Sequence, residues 1–96
     1  MTINTAVEGS EATIAVEGWL DTQASPELLS QIDQLAEDIN SLVLDFSKLE
    51  YISSSGLRAV VAAYKKMNGA IVIKGASEGI MNIFRTTGID RKIRFE

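Results

Sequence analysis

The sequence predicts an α/β fold in which a mixed sheet of four or five strands is covered by three or more helices. Near the start of the chain, apolar residues alternate with small or polar ones, which is typical of strands with one buried face. Further along, short apolar runs alternate with segments whose apolar residues recur every three or four positions. This pattern indicates buried strands followed by helices. The predicted order is β-β-α-β-α-β-α-β, with right-handed crossovers.

The first two strands are predicted to form an antiparallel hairpin. Gly9-Ser10 provides a two-residue turn. On both sides of this turn, every second residue is apolar or β-branched: Thr5 and Val7 before it, and Ala12, Ile14 and Val16 after it. Each strand therefore has one face that suits burial.

The first helix is predicted to begin near Pro26 and to continue to Ile39. Ser25 suits the cap, Pro26 suits the first helical position, and Glu27 lies near the positive end of the helix dipole. Apolar residues recur at spacings of three and four along the segment: Leu28, Leu29, Ile32, Leu35, Ala36 and Ile39. The helix is therefore amphipathic and packs against the sheet with one side.

The middle of the chain is predicted to contain a central strand followed by a second helix. Residues 42–46 form an almost uninterrupted apolar run, as expected of a strand buried on both faces. The second helix ends near Asn68-Gly69, a pair typical of helix C-termini. Its apolar side is formed by Leu57, Val60, Val61 and Tyr64.

The last third of the chain is predicted to add a strand, a helix and an edge strand. Residues 70–73 form another apolar run. The third helix opens at Ser77-Glu78, stops at Gly88, and carries Ile80, Ile83, Phe84 and Thr87 on one side. Residues 93–95 suit a short strand at the edge of the sheet.

Composition excludes several classes of function. The 96 residues contain neither cysteine nor histidine, which removes thiolate nucleophiles, imidazole bases, disulfides and zinc sites built from these residues. A chain of this length buries one core, so we expect a single domain over residues 1–96. No apolar run approaches the ~18 residues that span a bilayer, and the first residues lack the features of a signal peptide. We therefore expect a cytoplasmic protein with no membrane partner and no cofactor.

Charge is distributed unevenly along the chain. The net charge is −4, which disfavours a polyanionic partner, so we expect no nucleic acid. Residues 1–50 carry ten acidic side chains and one lysine, a charge of −9, whereas residues 51–96 carry eight basic and three acidic side chains, a charge of +5. This distribution suits a protein partner with its own charge pattern, and solvated helix faces explain it equally well.

Two polar segments follow predicted strands and are expected to lie at one edge of the sheet. Asp21-Thr22-Gln23 follows the second strand, and Ser53-Ser54-Ser55-Gly56 follows the third. In α/β sheets, the functional crevice lies beyond the carboxyl ends of the parallel strands. The candidate partner-binding residues are Asp21, Thr22, Ser53, Ser54, Ser55, Gly56 and Arg58.

The serine run has two interpretations. Helix capping needs one serine and is worth ~1 kcal/mol over alanine. No Glu or Gln stands three residues after any of these serines, so a capping box does not account for the run. Gly56 costs a helix ~1 kcal/mol relative to alanine, and its missing side chain would let a partner approach the backbone. The second interpretation is therefore a recognition or modification site.

A serine hydroxyl at a helix N-terminus is a suitable phosphate acceptor. The free N–H groups and the helix dipole stabilise the phosphate without refolding. A partner packed against that serine would meet about −1.5 to −2 of new charge. The arrangement therefore predicts a binding switch.

Three segments carry a resemblance to a known family: Gly18-Trp19-Leu20-Asp21, Leu44-Asp45-Phe46-Ser47 and Tyr51-Ile52-Ser53-Ser54-Ser55-Gly56-Leu57. They resemble the STAS domain of anti-sigma factor antagonists, the SpoIIAA-like proteins. The resemblance extends over nearly the whole chain, and the Ser-Ser-Gly-Leu segment is its most specific part. It implies the SpoIIAA-like form of the predicted α/β fold.

The resemblance also implies a mechanism of regulation. In that family, the serine just before the glycine is phosphorylated by a partner that is both an anti-sigma factor and a serine kinase of the GHKL type. That position is Ser55 here, and the Asp that follows Gly-x-Leu in the family matches Asp21. The unphosphorylated antagonist binds the kinase and frees a sigma factor, and a PP2C-type phosphatase resets it. Many members have Asp where this chain has Ser53, which leaves Ser54 as an alternative acceptor.

Two other functions compete with this one. STAS domains also occur in stressosomes and as subunits of lipid-transport complexes, so a non-switching adaptor is the nearer alternative. The more distant one is a small nucleotide-binding enzyme in which Asp21 and Asp45 hold Mg²⁺ near Ser55. The chain has no Gly-rich phosphate cradle and no general base other than carboxylates. We therefore expect a binding protein and not an enzyme.

Overall fold

The computed structural model describes residues 1–96. The strands are β1 (Thr2–Glu8), β2 (Glu11–Leu20), β3 (Ser41–Asp45), β4 (Leu49–Ile52), β5 (Ile71–Lys74) and β6 (Arg94–Phe95). The helices are α1 (Ser25–Asp33), α2 (Ser54–Lys66) and α3 (Glu78–Thr87), and a 3₁₀ turn spans Ile89–Arg91 before β6. No helix is both long enough and apolar enough to cross a membrane.

The longest strand, β2, organises the sheet. β1 pairs with it in the antiparallel direction, as the predicted hairpin requires, and the strand order is β1-β2-β3-β5-β6. β3 pairs in parallel with residues 11–15 of β2, and β4 pairs in parallel with residues 18–20. β3 and β4 therefore pair with successive stretches of the same strand, β2.

The predicted mixed α/β architecture is confirmed, and the sheet has six strands where four or five were expected. The additional strand is β4. Its sequence lacks an alternating or continuous apolar pattern, because exposed Glu50 and Tyr51 separate buried Leu49 and Ile52. Only its pairing with the end of β2 identifies so short a segment as a strand.

One face of the sheet carries the core. Ile14, Leu44 and Ile73 lie side by side on β2, β3 and β5, and each is fully buried. The buried apolar side chains of α1, α2 and α3 belong to the same cluster of 20 residues. Because successive residues of a strand point to opposite faces, the three helices cover one face of the sheet.

The first helix, α1, is shorter than predicted. It ends at Asp33 and not at Ile39, although Leu35 and Ile39 still pack against the core from the loop that follows. The N–H of Asn40 donates to the carbonyl of Ser10 at 2.9 Å, which ties this loop to the hairpin turn. A helix that continued to Ile39 would leave a single residue in which to reverse direction before β3.

The ends of α3 are those that the sequence predicts. Ser77 Oγ accepts the N–H of Ile80 at 3.3 Å, and Gly88 ends the helix in the left-handed conformation at φ 78°. α2 ends at Lys66, and the chain then turns at Asn68-Gly69, where both residues have positive φ. β6 is the predicted edge strand and pairs with β5.

Phe84 tests the packing of the helices on the sheet. Its side chain is fully buried, and its ring centroid lies 6.5 Å from that of Phe46 and 5.1 Å from that of Phe95. Phe84→Ala should lower the free energy of unfolding by about 3–5 kcal/mol, because it removes a buried ring and leaves a cavity. Urea unfolding followed by circular dichroism measures the change.

Val7→Ala is the matched control on the surface. The Val7 side chain is 56% exposed, so its truncation should change the free energy of unfolding by less than about 0.5 kcal/mol. Losses of similar size in the Phe84 and Val7 variants would contradict this description of the core.

Candidate functional site

The loop after β2 and the first turn of α2 lie side by side at one end of the sheet. β4 pairs in parallel with the end of β2, so that Leu20 lies opposite Ile52. The residues that follow these two strands therefore leave the sheet together. Thr22 Oγ1 lies 3.3 Å from Ser55 Oγ, and either hydroxyl can donate the hydrogen bond. The structure thus brings the two predicted polar segments into contact, although the serine run follows β4 and not the third strand as predicted.

Asp21 organises the loop after β2. Its Oδ1 accepts hydrogen bonds from the N–H groups of Gln23 at 3.1 Å and of Ala24 at 2.9 Å. Its carbonyl accepts the N–H of Ser25 at 2.9 Å and the Ser25 hydroxyl at 2.6 Å. Asp21 therefore shapes the loop that presents Thr22, and one of its carboxylate oxygens already serves backbone donors.

The predicted capping role of Ser25 is wrong. The N-cap of α1 is Ala24, whose side chain makes no hydrogen bond, and Ser25 is buried with its hydroxyl directed to Asp21. Pro26 does lie at the start of the helix, and Glu27 lies in its first turn. Bonds between the loop and Asp21 therefore replace a serine cap.

Ser53 is the N-cap of α2. Its Oγ accepts the N–H of Gly56 at 3.1 Å, and its own N–H donates to the carbonyl of Leu20 at 2.9 Å. Capping therefore accounts for Ser53 and leaves the next two serines without that role. Of these two, Ser54 is exposed and Ser55 is half-buried.

Arg58 brings a positive charge to the first turns of α2. Its Nε donates to the carbonyl of Ser54 at 3.5 Å, and its side chain is exposed. None of the three ion pairs in the chain involves Arg58. The guanidinium is therefore available to a partner or to an anion near the start of α2.

Gly56 is buried and faces the interior of its own chain. A Cβ at this position would lie 2.5 Å from the carbonyl oxygen of Leu20 and 2.7 Å from Cγ1 of Ile52. The glycine therefore allows α2 to pack closely on the ends of β2 and β4. The expected role of Gly56 in admitting a partner to the backbone is wrong, because the space beside it is filled from within. Gly56 thus lies behind the candidate contact surface and not on it.

An exposed aromatic pair adjoins these loops. Trp19 and Tyr51 are 57% and 43% exposed, and their ring centroids lie 5.1 Å apart. They precede Asp21 and Ser53 by two residues each, so one strand register aligns both the aromatic rings and the polar segments. They are not among the predicted site residues, and their exposed fractions show that both rings face solvent.

The acidic side chains form no cluster of three or more that could hold a metal ion. Asp45 Oδ1 accepts the N–H of Ser47 at 3.0 Å, and hydrogen bonding from the Ser47 side chain and then its backbone lowers the pKa of Asp45. Asp21 and Asp45 therefore both have local structural roles.

Both the sequence and the fold are similar to those of known proteins. Residues 3–94 match the family model described as "Mlab, STAS domain". The anti-sigma-B factor antagonist of Bacillus subtilis (strain 168) is 30% identical over 94 residues, which cover 93% of this chain and 86% of the relative. An anti-sigma factor antagonist from Mycobacterium paratuberculosis superposes with a TM-score of 0.87 at 23% identity, over 98% of this chain and 83% of that one. The Bacillus cell fate determinant SpoIIAA in its phosphorylated form superposes with a TM-score of 0.76 at 16% identity, over 99% and 91%.

Replacement of Gly56 by alanine tests the packing of α2. Gly56→Ala should lower the free energy of unfolding by about 1–3 kcal/mol, because the new methyl group would overlap the Leu20 carbonyl. This loss outweighs the ~1 kcal/mol by which alanine favours a helix. Urea unfolding measures the change.

Gly79 in α3 provides the matched control, since the atom nearest to a Cβ there is Ser77 Oγ at 4.0 Å. Gly79→Ala should raise the free energy of unfolding by up to about 1 kcal/mol. Effects of the same sign in both variants would show that contact with Leu20 does not determine the residue at position 56.

Proposed function

The chain belongs to the STAS domain family of anti-sigma factor antagonists, and on that basis we propose that it is a phosphorylation-switched binding protein and not an enzyme. In its unphosphorylated form it binds an anti-sigma factor that is also a serine kinase of the GHKL type, and so releases a sigma factor. Phosphorylation of Ser55 ends this binding, and a PP2C-type phosphatase restores it. The interaction takes place in the cytoplasm, without a nucleic acid, a membrane or a cofactor.

The position of the Ser55 hydroxyl is the observation that supports this proposal most directly. It lies in the first turn of α2, is half-buried, and contacts the loop after β2 through Thr22 at 3.3 Å. The positive end of a helix stabilises an anion by ~0.3–1 kcal/mol, so a phosphate there is compatible with the fold. Because Ser53 supplies the cap, modification of Ser55 removes no capping hydrogen bond.

The added charge accounts for loss of binding. A phosphate carries about −1.5 to −2 charges at neutral pH. A partner packed over Ser55 has to desolvate this charge or neutralise it, and burial of an unpaired charge costs several kcal/mol. A penalty of about 3 kcal/mol lowers the affinity roughly a hundredfold. Phosphorylation therefore separates the two proteins while the chain stays folded.

The proposed contact surface combines the loop after β2 with the first turns of α2. Its members are all exposed or half-buried: Asp21, Thr22, Ser53, Ser54, Ser55 and Arg58. Gly56 supports this surface from behind, because its contact with Leu20 sets the position of α2.

Two features favour Ser55 over Ser54 as the acceptor. Ser55 stands immediately before the glycine, which is the acceptor position in the family. Its hydroxyl also contacts Thr22, so a phosphate there alters both segments of the contact surface. Ser54 is exposed and remains the alternative acceptor.

A non-switching STAS adaptor is the second candidate function. The name Mlab in the matching family model favours it, since that name denotes a STAS protein and says nothing of sigma factors. A stressosome-like adaptor or a lipid-transport subunit would bind its partner whether or not Ser55 is modified. The two functions therefore differ in how binding responds to a negative charge at Ser55.

Substitutions at Ser55 test the switch. The partner is isolated by pull-down from native cytosol with the wild-type chain, identified, and then purified. Ser55→Ala should bind it with wild-type affinity, whereas Ser55→Asp should bind roughly ten- to a hundredfold more weakly and should melt like the wild type. Isothermal titration calorimetry and thermal unfolding measure the two properties. Ser54→Asp adds the same charge at a more exposed side chain and should weaken binding less.

Phosphosite mapping by mass spectrometry identifies the acceptor. After incubation of the chain with the partner kinase and Mg-ATP, we expect phosphate on Ser55 and none on Ser55→Ala. Phosphate on Ser54 alone would move the acceptor by one residue. If neither serine is labelled and Ser55→Asp binds like the wild type, the switch is excluded and the non-switching adaptor is left.

A further inference from the structure

A groove with an apolar floor runs along α2, next to the proposed contact surface around Ser55. It has a volume of about 360 Å³ and lies between α2 and the segment around the end of α3. Leu57, Val61, Ala62 and Ile89 form its apolar lining. Leu57 and Ile89 also pack against the core, whereas Ala62 is exposed and Val61 is half-buried. Apolar side chains are therefore accessible from solvent along this face of the helix.

Two positive charges border the groove. Arg58 and Lys65 both line it, both are exposed, and neither takes part in an ion pair. No acidic side chain lines the groove. Lys66 on the same helix differs, because its Nζ pairs with Asp33 at 2.7 Å and it does not line the groove. The groove is therefore an apolar strip with two unneutralised cations, on a chain whose net charge is −4.

We propose that this groove binds an acidic amphipathic helix of the anti-sigma factor. The inference rests on the proposed function and extends its contact surface along α2. The apolar side of such a helix fills the strip, and its Asp or Glu side chains face Arg58 and Lys65. The positive charges on the rim favour a partner helix with acidic side chains, and the apolar floor favours one that also has an apolar side.

The geometry of α2 fits a helix of about two or three turns. Residues 57 and 65 are eight positions apart, which at a rise of 1.5 Å per residue corresponds to ~12 Å. The lining residues of α2 lie at positions 57, 58, 61, 62 and 65, a spacing that places them on one face of the helix. Apolar residues three and four positions apart on a partner helix match this strip when the two helices lie side by side.

Arg58 belongs both to the groove and to the proposed contact surface around Ser55. It lines the groove and follows Ser55 by three residues on the same helix, a spacing at which side chains are neighbours. A phosphate on Ser55 attracts the guanidinium away from an acidic partner helix and also repels that helix directly. Binding of an acidic helix is therefore weakened by phosphorylation, whereas binding of a basic helix would be strengthened. The sign of the proposed switch agrees with an acidic occupant.

A synthetic peptide tests the groove without the natural partner. The probe has about 16 residues, with Leu at positions i, i+3, i+4 and i+7 and Glu on both flanks. Titrated into the full ¹⁵N-labelled chain, it should shift amide resonances of residues 57–65 and 87–89. Lys65→Glu should weaken this binding about three- to tenfold. Lys66→Glu makes the same charge change outside the groove and should stay within about twofold of the wild type.

Three results of this titration would overturn the proposal. These are shifts confined to another surface, equal binding of a peptide with Lys in place of Glu, and equal loss in the Lys65 and Lys66 variants. Sedimentation of the free chain adds a fourth: if it forms a dimer that Lys65→Glu dissociates, the occupant is a second copy of the chain.

Calorimetry with the purified anti-sigma factor separates this inference from the proposed function. Lys65→Glu and Val61→Glu should each weaken binding at least about fivefold, with folding checked by circular dichroism. If Ser55→Asp weakens binding and neither groove variant does, the groove proposal is wrong and the proposed function stands. If the groove variants weaken binding and Ser55→Asp does not, the groove stands and the switch is wrong.

Discussion

The carbonyl of Leu20, the last residue of β2, holds the candidate site together. It accepts the N–H of Ser53 at 2.9 Å, and Gly56 packs against it so closely that a side chain there would lie 2.5 Å away. Because β4 runs parallel to the end of β2, α2 begins beside the loop that carries Thr22. The contact between Thr22 and Ser55 depends on this packing, since a shift of α2 away from Leu20 would separate the two hydroxyls. A short parallel pairing and one glycine thus determine where the surface forms.

The folded structure shows where the acidic and basic halves of the chain meet. The loop after β2 belongs to the acidic half of the chain and α2 to the basic half, and the two meet at Thr22 and Ser55. Elsewhere the halves are joined by an ion pair between Lys66 and Asp33, which connects α2 with α1. Arg58 and Lys65, which line the groove, remain unpaired. A phosphate at Ser55 is therefore added to the helix that carries Arg58 and Lys65, two positive charges that no ion pair neutralises within the chain.

The sequence predicted the structural elements that a local residue pattern determines. It did not predict the features that depend on contacts between residues far apart in the chain. Alternation and helical spacing identified the hairpin, the central strand and all three helices, and the two polar segments were correctly assigned to one edge of the sheet. The end of α1 was misplaced, because Leu35 and Ile39 keep helical spacing although they pack from a loop. The role of Gly56 was misjudged, because no sequence pattern distinguishes a glycine that admits a partner from one that touches its own Leu20. The exposure of Trp19 and Tyr51 was likewise seen only in the structure, and not in the sequence pattern.

Trp19 is the only tryptophan of the chain, and it stands exposed two residues before Asp21. All indole fluorescence therefore comes from one position at the rim of the proposed contact surface. Tyr51, whose ring centroid lies 5.1 Å away, is close enough to pass its excitation energy to that indole. A shallow cleft of about 250 Å³ is lined by both Trp19 and Asp21, so a protein that covers the polar loop also changes the solvent around the ring. The molecule thus contains its own optical reporter of occupancy, which needs no label and lies outside the serine and arginine side chains of the proposed switch.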